Sequence, residues 1–380
     1  MAEAAKKIKN DFAFNINLDK NSFIKSLSKI QSVVEKRNTI PILSNVKIDA
    51  SNNIVTLTVT DMDVLATQEI EASVNQGGSL TVPAQTLYDI IRKLPEGAQI
   101  NLDADVNSSR LIVKSGSSKF KLSYLPSEDF PQISEGDLTH KFTLEVKTLL
   151  KLIEKTKFAM SNEETRYYLN GVYFHISNGK LRAVATDGHR LASVEVEAPE
   201  GSLGMPGVII PRKAVNELPK LLEGQEKVTI SISDSKIKFS ANKIELLSKV
   251  VDGTFPDYQR VIPENNKKIL TTSTSTLKEA VDRVSTIAVD KTKAVKISLS
   301  NNQINLHSQG VEGGSGDEDI AANYSSEALE MGFNSRYMLE MLNQIESAEV
   351  QFAFDNTNSP SLITDPTDNS AVYIIMPMRV

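Results

Sequence analysis

The 380-residue chain has no cysteine, no tryptophan and only four histidines. Without cysteine there are no disulfides and no thiol chemistry, which suits a reducing, cytoplasmic compartment. His140, His175, His189 and His307, with no cysteine to join them, argue against a transition-metal site, and no metal or other cofactor is expected. No apolar run approaches the roughly 18 residues of a membrane span. The opening Met1-Ala-Glu-Ala-Ala-Lys-Lys-Ile-Lys-Asn-Asp11 lacks the apolar centre of a signal peptide and is expected to be a frayed tail or an expression leftover. P-loop, Gly-x-Gly-x-x-Gly and Gly-x-Ser-x-Gly patterns are all missing, so nucleotide chemistry and the common hydrolase elbow have no support. Positive charge is not in excess: 42 Lys and Arg face 48 Asp and Glu, a net charge of −6. That balance speaks against nucleic acid unless the basic residues gather on one surface.

What is present is a repeat. Leu43-Ser-Asn-Val-Lys-Ile48 and Leu169-Asn-Gly-Val-Tyr-Phe174 lie 126 positions apart. At the same offset Val59-Thr-Asp-Met-Asp-Val-Leu-Ala66 matches Ala185-Thr-Asp-Gly-His-Arg-Leu-Ala192, and Ile16-Asn-Leu18 matches Phe142-Thr-Leu144. Glu128-Asp-Phe-Pro131 corresponds to Gly253-Thr-Phe-Pro256. A fainter third copy shows in Thr276-Leu-Lys-Glu-Ala-Val281 and Lys293-Ala-Val-Lys-Ile297. The period far exceeds the roughly 20–50 residues of a solenoid unit, so the copies are whole domains. In the second copy an alternating strand at 142–144 leads into a helix over 147–155. Strands at 171–176 and 181–185 follow, joined by a Ser-Asn-Gly turn, then a helix over 211–222 and strands at 227–232, 237–239 and 244–251. Two helices and many antiparallel strands per copy is an α+β domain.

Basic residues concentrate on the helices: Lys20, Lys25, Lys29, Lys36 and Arg37 in the first copy, and Lys147, Lys151, Lys155, Lys157, Arg212, Lys213 and Lys220 in the second. They either solvate exposed faces or form a shared phosphate-contacting surface without base readout. The acids are expected in loops, above all a flexible acidic loop at Gly313-Gly-Ser-Gly-Asp-Glu-Asp319, which lacks the ligand spacing of a calcium-binding loop.

Ala185-Thr-Asp-Gly-His-Arg-Leu-Ala192 crowds an acid, an imidazole and a guanidinium together. It reads as a hydrolase centre on His189 and Asp187, as an ordinary hairpin turn at Asp-Gly, or as a binding element. The absence of a nucleophile motif weighs against the first, and the first copy's Asp-Met-Asp makes His and Arg special to the second. Tyr167-Tyr168 are either core aromatics or stacking platforms for nucleic acid. The terminal Val372-Tyr-Ile-Ile-Met-Pro-Met-Arg-Val380 is either a last strand or an adaptable, methionine-bearing surface.

Taken together, Arg166-Tyr-Tyr-Leu-Asn-Gly171, the 185–192 segment, Phe255-Pro-Asp-Tyr258 with Arg260-Val261, Gly332-Phe-Asn334 and Met376-Pro-Met-Arg379 resemble the bacterial DNA polymerase III beta subunits, the sliding-clamp family. The resemblance runs from about Phe12 to Val380. It implies a tail at 1–11 and three clamp domains at 12–138, 139–264 and 265–380. Two chains would close head to tail into a ring, helices lining the hole and antiparallel sheets outside. Such a ring encircles double-stranded DNA and catalyses nothing. It holds the polymerase catalytic subunit, the clamp loader and repair proteins by short peptides, and it needs no membrane. A purely structural oligomer without DNA is the alternative.

The resemblance implies a peptide pocket of Leu169, Thr186, Gly188, His189, Arg190, Leu191, Pro256, Arg260, Val261, Asn334, Tyr337, Ile374, Ile375, Met376, Pro377, Met378 and Arg379. Arg190 is expected to fix the peptide. DNA contacts would come from Arg37, Tyr167, Tyr168 and Lys213, with Glu163 standing where the family can have a neutral polar residue. The dimer seam would join Phe120 and Leu122 to the region of Ile287. Two departures bear on peptide preference: Thr292, where the family can have an aromatic, and Asn358-Ser-Pro360 beside the pocket.

Overall fold

The computed structural model describes residues 14–35, 39–105, 107–288, 293–310 and 313–379. The tail, Arg37 and Thr292 therefore lie outside the described residues. The first copy runs β1 Asn15–Asp19, α1 Lys20–Ile30, β2 Asn45–Ser51, β3 Ile54–Thr60, β4 Val64–Glu71, β5 Ser73–Gln76, β6 Gly78–Pro83, α2 Ala84–Lys93, β7 Gln99–Asp105, β8 Arg110–Ser115, β9 Ser118–Ser123 and β10 Leu125–Pro126. The second runs β11 His140–Glu145, α3 Val146–Lys157, β12 Gly171–Ser177, β13 Lys180–Thr186, β14 Arg190–Glu197, β15 Val208–Pro211, α4 Arg212–Leu221, β16 Lys227–Ile232, β17 Lys236–Ala241 and β18 Ile244–Lys249. The third runs β19 Lys268–Ser273, α5 Thr274–Ser285, β20 Ala294–Ser300, β21 Gln303–Gln309, β22 Ser315–Ala321, β23 Leu329–Asn334, α6 Ser335–Leu342, β24 Glu349–Phe354, β25 Ser361–Asp365 and β26 Asp368–Ile375. The same order of strands and helices thus recurs three times, apart from β5 and β10.

Local chemistry explains the elements. The Asp19 carboxylate accepts the Ser22 amide and caps α1, whose Phe23, Leu27 and Ile30 share one buried stripe. In β17, Ile237, Phe239 and Ala241 point inward while Lys236, Lys238 and Ser240 lie partly exposed, the two-residue period of a half-buried strand. Asn52 and Asn53, at φ 50° and 60°, turn β2 into β3, and Asn178 and Gly179, at 51° and 71°, do the same 126 positions on. Both pairs have the left-handed conformation that a tight hairpin needs.

The chain forms two compact units. One holds the residues up to Val146 with Asn216–Lys249, the other Lys147–Val215 with Val250–Val380. The first unit contains a five-stranded sheet, β5-β1-β7-β8-β9, and a nine-stranded sheet, β10-β6-β2-β3-β4-β18-β17-β16-β11. The second contains an eight-stranded sheet, β15-β12-β13-β14-β26-β25-β24-β19, and a four-stranded sheet, β22-β21-β20-β23. In the nine-stranded sheet the two copies meet at β4 and β18, antiparallel, with Leu246 opposite Ala66. In the eight-stranded sheet they meet at the corresponding strands β14 and β26, with Leu191 opposite Ile374.

Two expectations are corrected. The acidic segment is not a flexible loop: Ser315–Ala321 pairs along its length with β21, from Gln309↔Ser315 to Gln303↔Ala321. Its acids are compatible with a strand because it is a sheet edge, where one row of side chains faces water. The helix lysines are not all a solvated surface either. Lys20, Lys29 and Lys155 are buried, and the Lys20 ammonium donates to the Leu94 carbonyl at 2.5 Å.

Candidate peptide groove

The segment that suggested chemistry is a turn built from its own side chains. The Thr186 hydroxyl donates to the Arg190 carbonyl at 2.6 Å and accepts the Gly188 amide at 3.1 Å. The Asp187 carboxylate accepts the amides of His189 and Arg190 at 2.9 and 3.1 Å, and its second oxygen takes Arg190 Nε at 3.0 Å. The first copy repeats this with Thr60 and Asp61. Thr60 Oγ1 donates to the Val64 carbonyl at 2.8 Å, and Asp61 accepts the amides of Asp63 and Val64 at 2.9 and 2.7 Å. Met62, at φ 84°, stands where Gly188 has φ 87°. A Cβ on Gly188 would lie 2.7 Å from Arg166 Nη1, so the second copy has traded bulk for the approach of Arg166. Asp187 is committed to the turn, and the exposed His189 ring stacks 6.5 Å from Tyr337. The two do not form a catalytic pair.

Arg190 is held from every side. Besides Asp187, its guanidinium donates to the Phe158 carbonyl at 2.6 Å and to Glu340. It also lies 4.2 Å from the Tyr337 ring centre and 5.3 Å from that of Phe158. The side chain is only 5% exposed, so its polar end braces β14 against α6.

Beside this turn lies an apolar groove of about 200 Å³, lined by Leu169, Thr186, Gly188, Arg190, Leu191, Pro256, Asp257, Tyr258, Val261, Ile374 and Met376. Its floor belongs to a buried cluster of Leu169, Val184, Leu191, Ile209, Phe255, Tyr258 and Ile374, drawn from sequence-distant pieces. The 255–261 wall is anchored by aromatics. Tyr173 stacks on Phe255 at 4.8 Å and on His175 at 4.5 Å, and His175 Nε2 lies 3.1 Å from the Tyr258 hydroxyl. Burial pulls the His175 pKa below its ordinary value and Arg182 adds to this, against a raising backbone hydrogen bond, so the ring is neutral at neutral pH. Val261 and Met376, 46% and 38% exposed, offer apolar surface at the rim. Enclosed apolar walls with a few polar groups suit a short peptide with hydrophobic anchors.

The groove collects nine of the expected residues and adds Asp257 and Tyr258. The quoted Phe255-Pro-Asp-Tyr258 motif held the signal for both. The remaining expected residues lie around it. Arg260 is exposed and pairs with Asp257 at 2.7 Å. Asn334 caps α6, accepting the amides of Arg336 and Tyr337. Ile375 is fully buried, Met378 pairs with Gly332, and Pro377 and Arg379 flank Met378, partly exposed and exposed. Tyr167 is 53% exposed and meets Tyr168 edge-on at 5.9 Å. Glu163 forms a fork with Arg166 at 2.6 and 2.8 Å, and Lys213 is partly exposed on α4. Phe120 is 37% exposed on the sheet edge β9, Leu122 is buried, and Ile287 packs beside Gly310 and Gly316.

Comparison with known proteins agrees along the whole chain. Residues 14–134, 143–257 and 259–379 match the N-terminal, central and C-terminal domains of the DNA polymerase III beta subunit. A beta sliding clamp of Caulobacter vibrioides is 44% identical over 96% of this chain and 100% of its own length. One from Pseudomonas aeruginosa is 35% identical over 96% of this chain and 100% of its own length. A crystal structure of the C. crescentus beta sliding clamp superposes with a TM-score of 0.95 at 43% identity, covering 97% of this chain and 99% of that one. The sliding clamp of Bartonella birtlesii bound to griselimycin gives 0.94 at 48% identity, covering 97% and 100%.

Proposed function

The chain belongs to the bacterial DNA polymerase III beta-subunit family, the beta sliding clamps, and from that premise we propose that two copies close head to tail into a ring around duplex DNA. The observation that carries this is the recurring junction. β4 pairs with β18 and β14 with β26, the third strand of one half-sheet meeting the last strand of the next copy. By the same rule β22 would meet β9 of a second chain, and both are sheet edges. The edges are complementary: β22 carries Asp317 and Asp319 on either side of the Glu318 that Arg283 holds, and β9 carries Lys119 and Lys121 around the exposed Phe120. A contact that recurs by rotation closes into a ring when the angles sum to a full turn. Phe120, Leu122 and Ile287 are the apolar part of this seam.

The clamp domains are 12–138, 139–264 and 265–380, after the tail 1–11. The ring works in the cytoplasm and touches phosphates rather than bases, through Arg37, Tyr167, Tyr168 and Lys213, so it slides. The groove takes linear peptides of the polymerase, the clamp loader and repair proteins, and tethering raises the polymerase's effective concentration at the primer end. Its peptide site comprises the groove residues with His189, Arg260, Asn334, Tyr337, Ile375, Pro377, Met378 and Arg379 at the margins. Arg190 acts there by holding the turn and offering its stem. A chain ending at Ile375 tests the assignment. It should remain dimeric and fail to bind a fluorescent clamp-binding peptide that the full chain binds; full affinity after the truncation would refute the site.

A further inference from the structure

Lys29, Lys155 and Arg283 are each the tenth residue of the first helix of their copy, α1, α3 and α5. Two of them have the same unusual surroundings. The Lys29 ammonium donates to the Glu223 carbonyl at 2.9 Å and to that of Leu221, the last residue of α4, at 3.4 Å. The Lys155 ammonium donates to the Gln344 carbonyl just past α6 at 3.1 Å and pairs with Glu346 at 2.9 Å. Each lysine is buried, 7% and 6% exposed, and each reaches the end of the second helix of the following copy. Helix C-termini present unpaired carbonyls and partial negative charge, so a cation there satisfies both.

Arg283 has no following copy in its own chain. It is exposed and forked on Glu318 at 3.1 and 2.6 Å, with Glu279 at 3.5 Å. The one second helix with no preceding copy is α2. Counted from the proline before each helix, Pro83 and Pro211, the carbonyls of Lys93 and Pro95 stand where those of Leu221 and Glu223 stand in α4. Glu96 follows immediately, an acid one position past where Glu223 and Glu346 lie counted from Pro211 and Asn334.

We propose that Arg283 completes the series across the dimer seam, donating to the Lys93 and Pro95 carbonyls at the end of α2 of a second copy of this chain, on either side of the Leu94 carbonyl that Lys20 already takes. The inference rests on the head-to-tail reading. It makes each subunit supply the cation at one seam and the helix end at the other.

The dimer dissociation constant of the full chain, measured by sedimentation and dilution, tests it with Arg283→Met, Arg283→Lys and Glu318→Gln. Loss of a charged hydrogen-bond donor predicts a roughly 10- to 100-fold weaker dimer for Arg283→Met. Arg283→Lys should stay within about threefold of wild type, because the two junctions inside the chain use lysine and a single strong hydrogen bond is preserved. Glu318→Gln should not weaken the dimer. Thermal unfolding checks that each variant folds, as expected for an exposed side chain. An unchanged constant in Arg283→Met overturns this contact while leaving a dimeric wild type, and hence the head-to-tail reading, intact. Arg283→Lys or Glu318→Gln as weak as Arg283→Met would assign the effect to the fork with Glu318 and also overturn it. A wild type that is monomeric throughout overturns the head-to-tail reading and this contact with it.

Discussion

Replacing Arg190 by methionine keeps an apolar stem of similar reach and deletes the guanidinium. The structure predicts a large loss of stability. The deleted group serves Asp187 at 3.0 Å, the Phe158 carbonyl at 2.6 Å and Glu340, and it covers the Tyr337 ring. Removing one partner of a buried ion pair costs about 3–5 kcal/mol, because the other charge is left without compensation. Glu340 is 34% exposed and can rehydrate, which favours the lower end of that range. About 3 kcal/mol lowers the melting temperature of a unit of this size by roughly 6–12 °C. Arg190→Lys retains the charge but cannot reach three acceptors at once, so it should fall between the two. Circular dichroism during heating reads the stability, and titration with a fluorescent peptide reads the groove. A melting point within about 2 °C of wild type together with lost peptide binding would refute the reasoning. It would show that the arginine serves the ligand and not the frame.

Asp368 gives a pH-dependent test. Burial alone would raise its pKa, but hydrogen bonds from Ser370 and Lys151 and the charge of Lys151 lower it to about 2. A depressed carboxyl stabilises the fold above its unfolded value, near 3.8, and that contribution is lost as pH falls through about 2. Asp368→Asn should therefore cost about 1–2 kcal/mol in urea unfolding at neutral pH. The gap to wild type should narrow below about pH 4, and a gap constant from pH 7 to pH 3 would contradict the assignment. Gly188→Ala places a Cβ at φ 87° and pushes Arg166 aside. A cost near 1 kcal/mol and weaker peptide binding are expected, since Met62 shows that the turn itself tolerates a side chain. Unchanged binding with Arg166 displaced in a crystal structure would exclude a role for this approach in shaping the groove.

The threefold repeat was legible because the hairpins keep their register: Leu43 with Leu169, and the two Thr-Asp turns, hold the same offset in sequence, and the two turns hold the same hydrogen bonds in space. Most of the groove was legible through the family resemblance of its motifs. What remained hidden depends on partners distant in sequence. Lys29 and Lys155 look like surface lysines until the helix ends of the following copy cover them. Ser315–Ala321 reads as a loop because glycine and acids disfavour strands, and pairing with β21 overrides that preference. That Arg190, expected to fix the peptide, also pairs with Glu340, 150 positions away, was hidden in the same way. Tyr258 belongs to a quoted motif but not to the expected pocket, whereas its packing on Phe255 and His175 makes it part of the wall.

The central claim is topological: the protein holds DNA by encircling it. The most direct measurement loads the chain onto a nicked circular DNA with its clamp loader and ATP, removes free protein, and cuts the circle at one site. The account predicts retention on the circle, rapid loss after the cut, and retention again when bulky protein blocks both ends. Equal loss from intact and cut DNA, or retention on cut DNA with open ends, would contradict it.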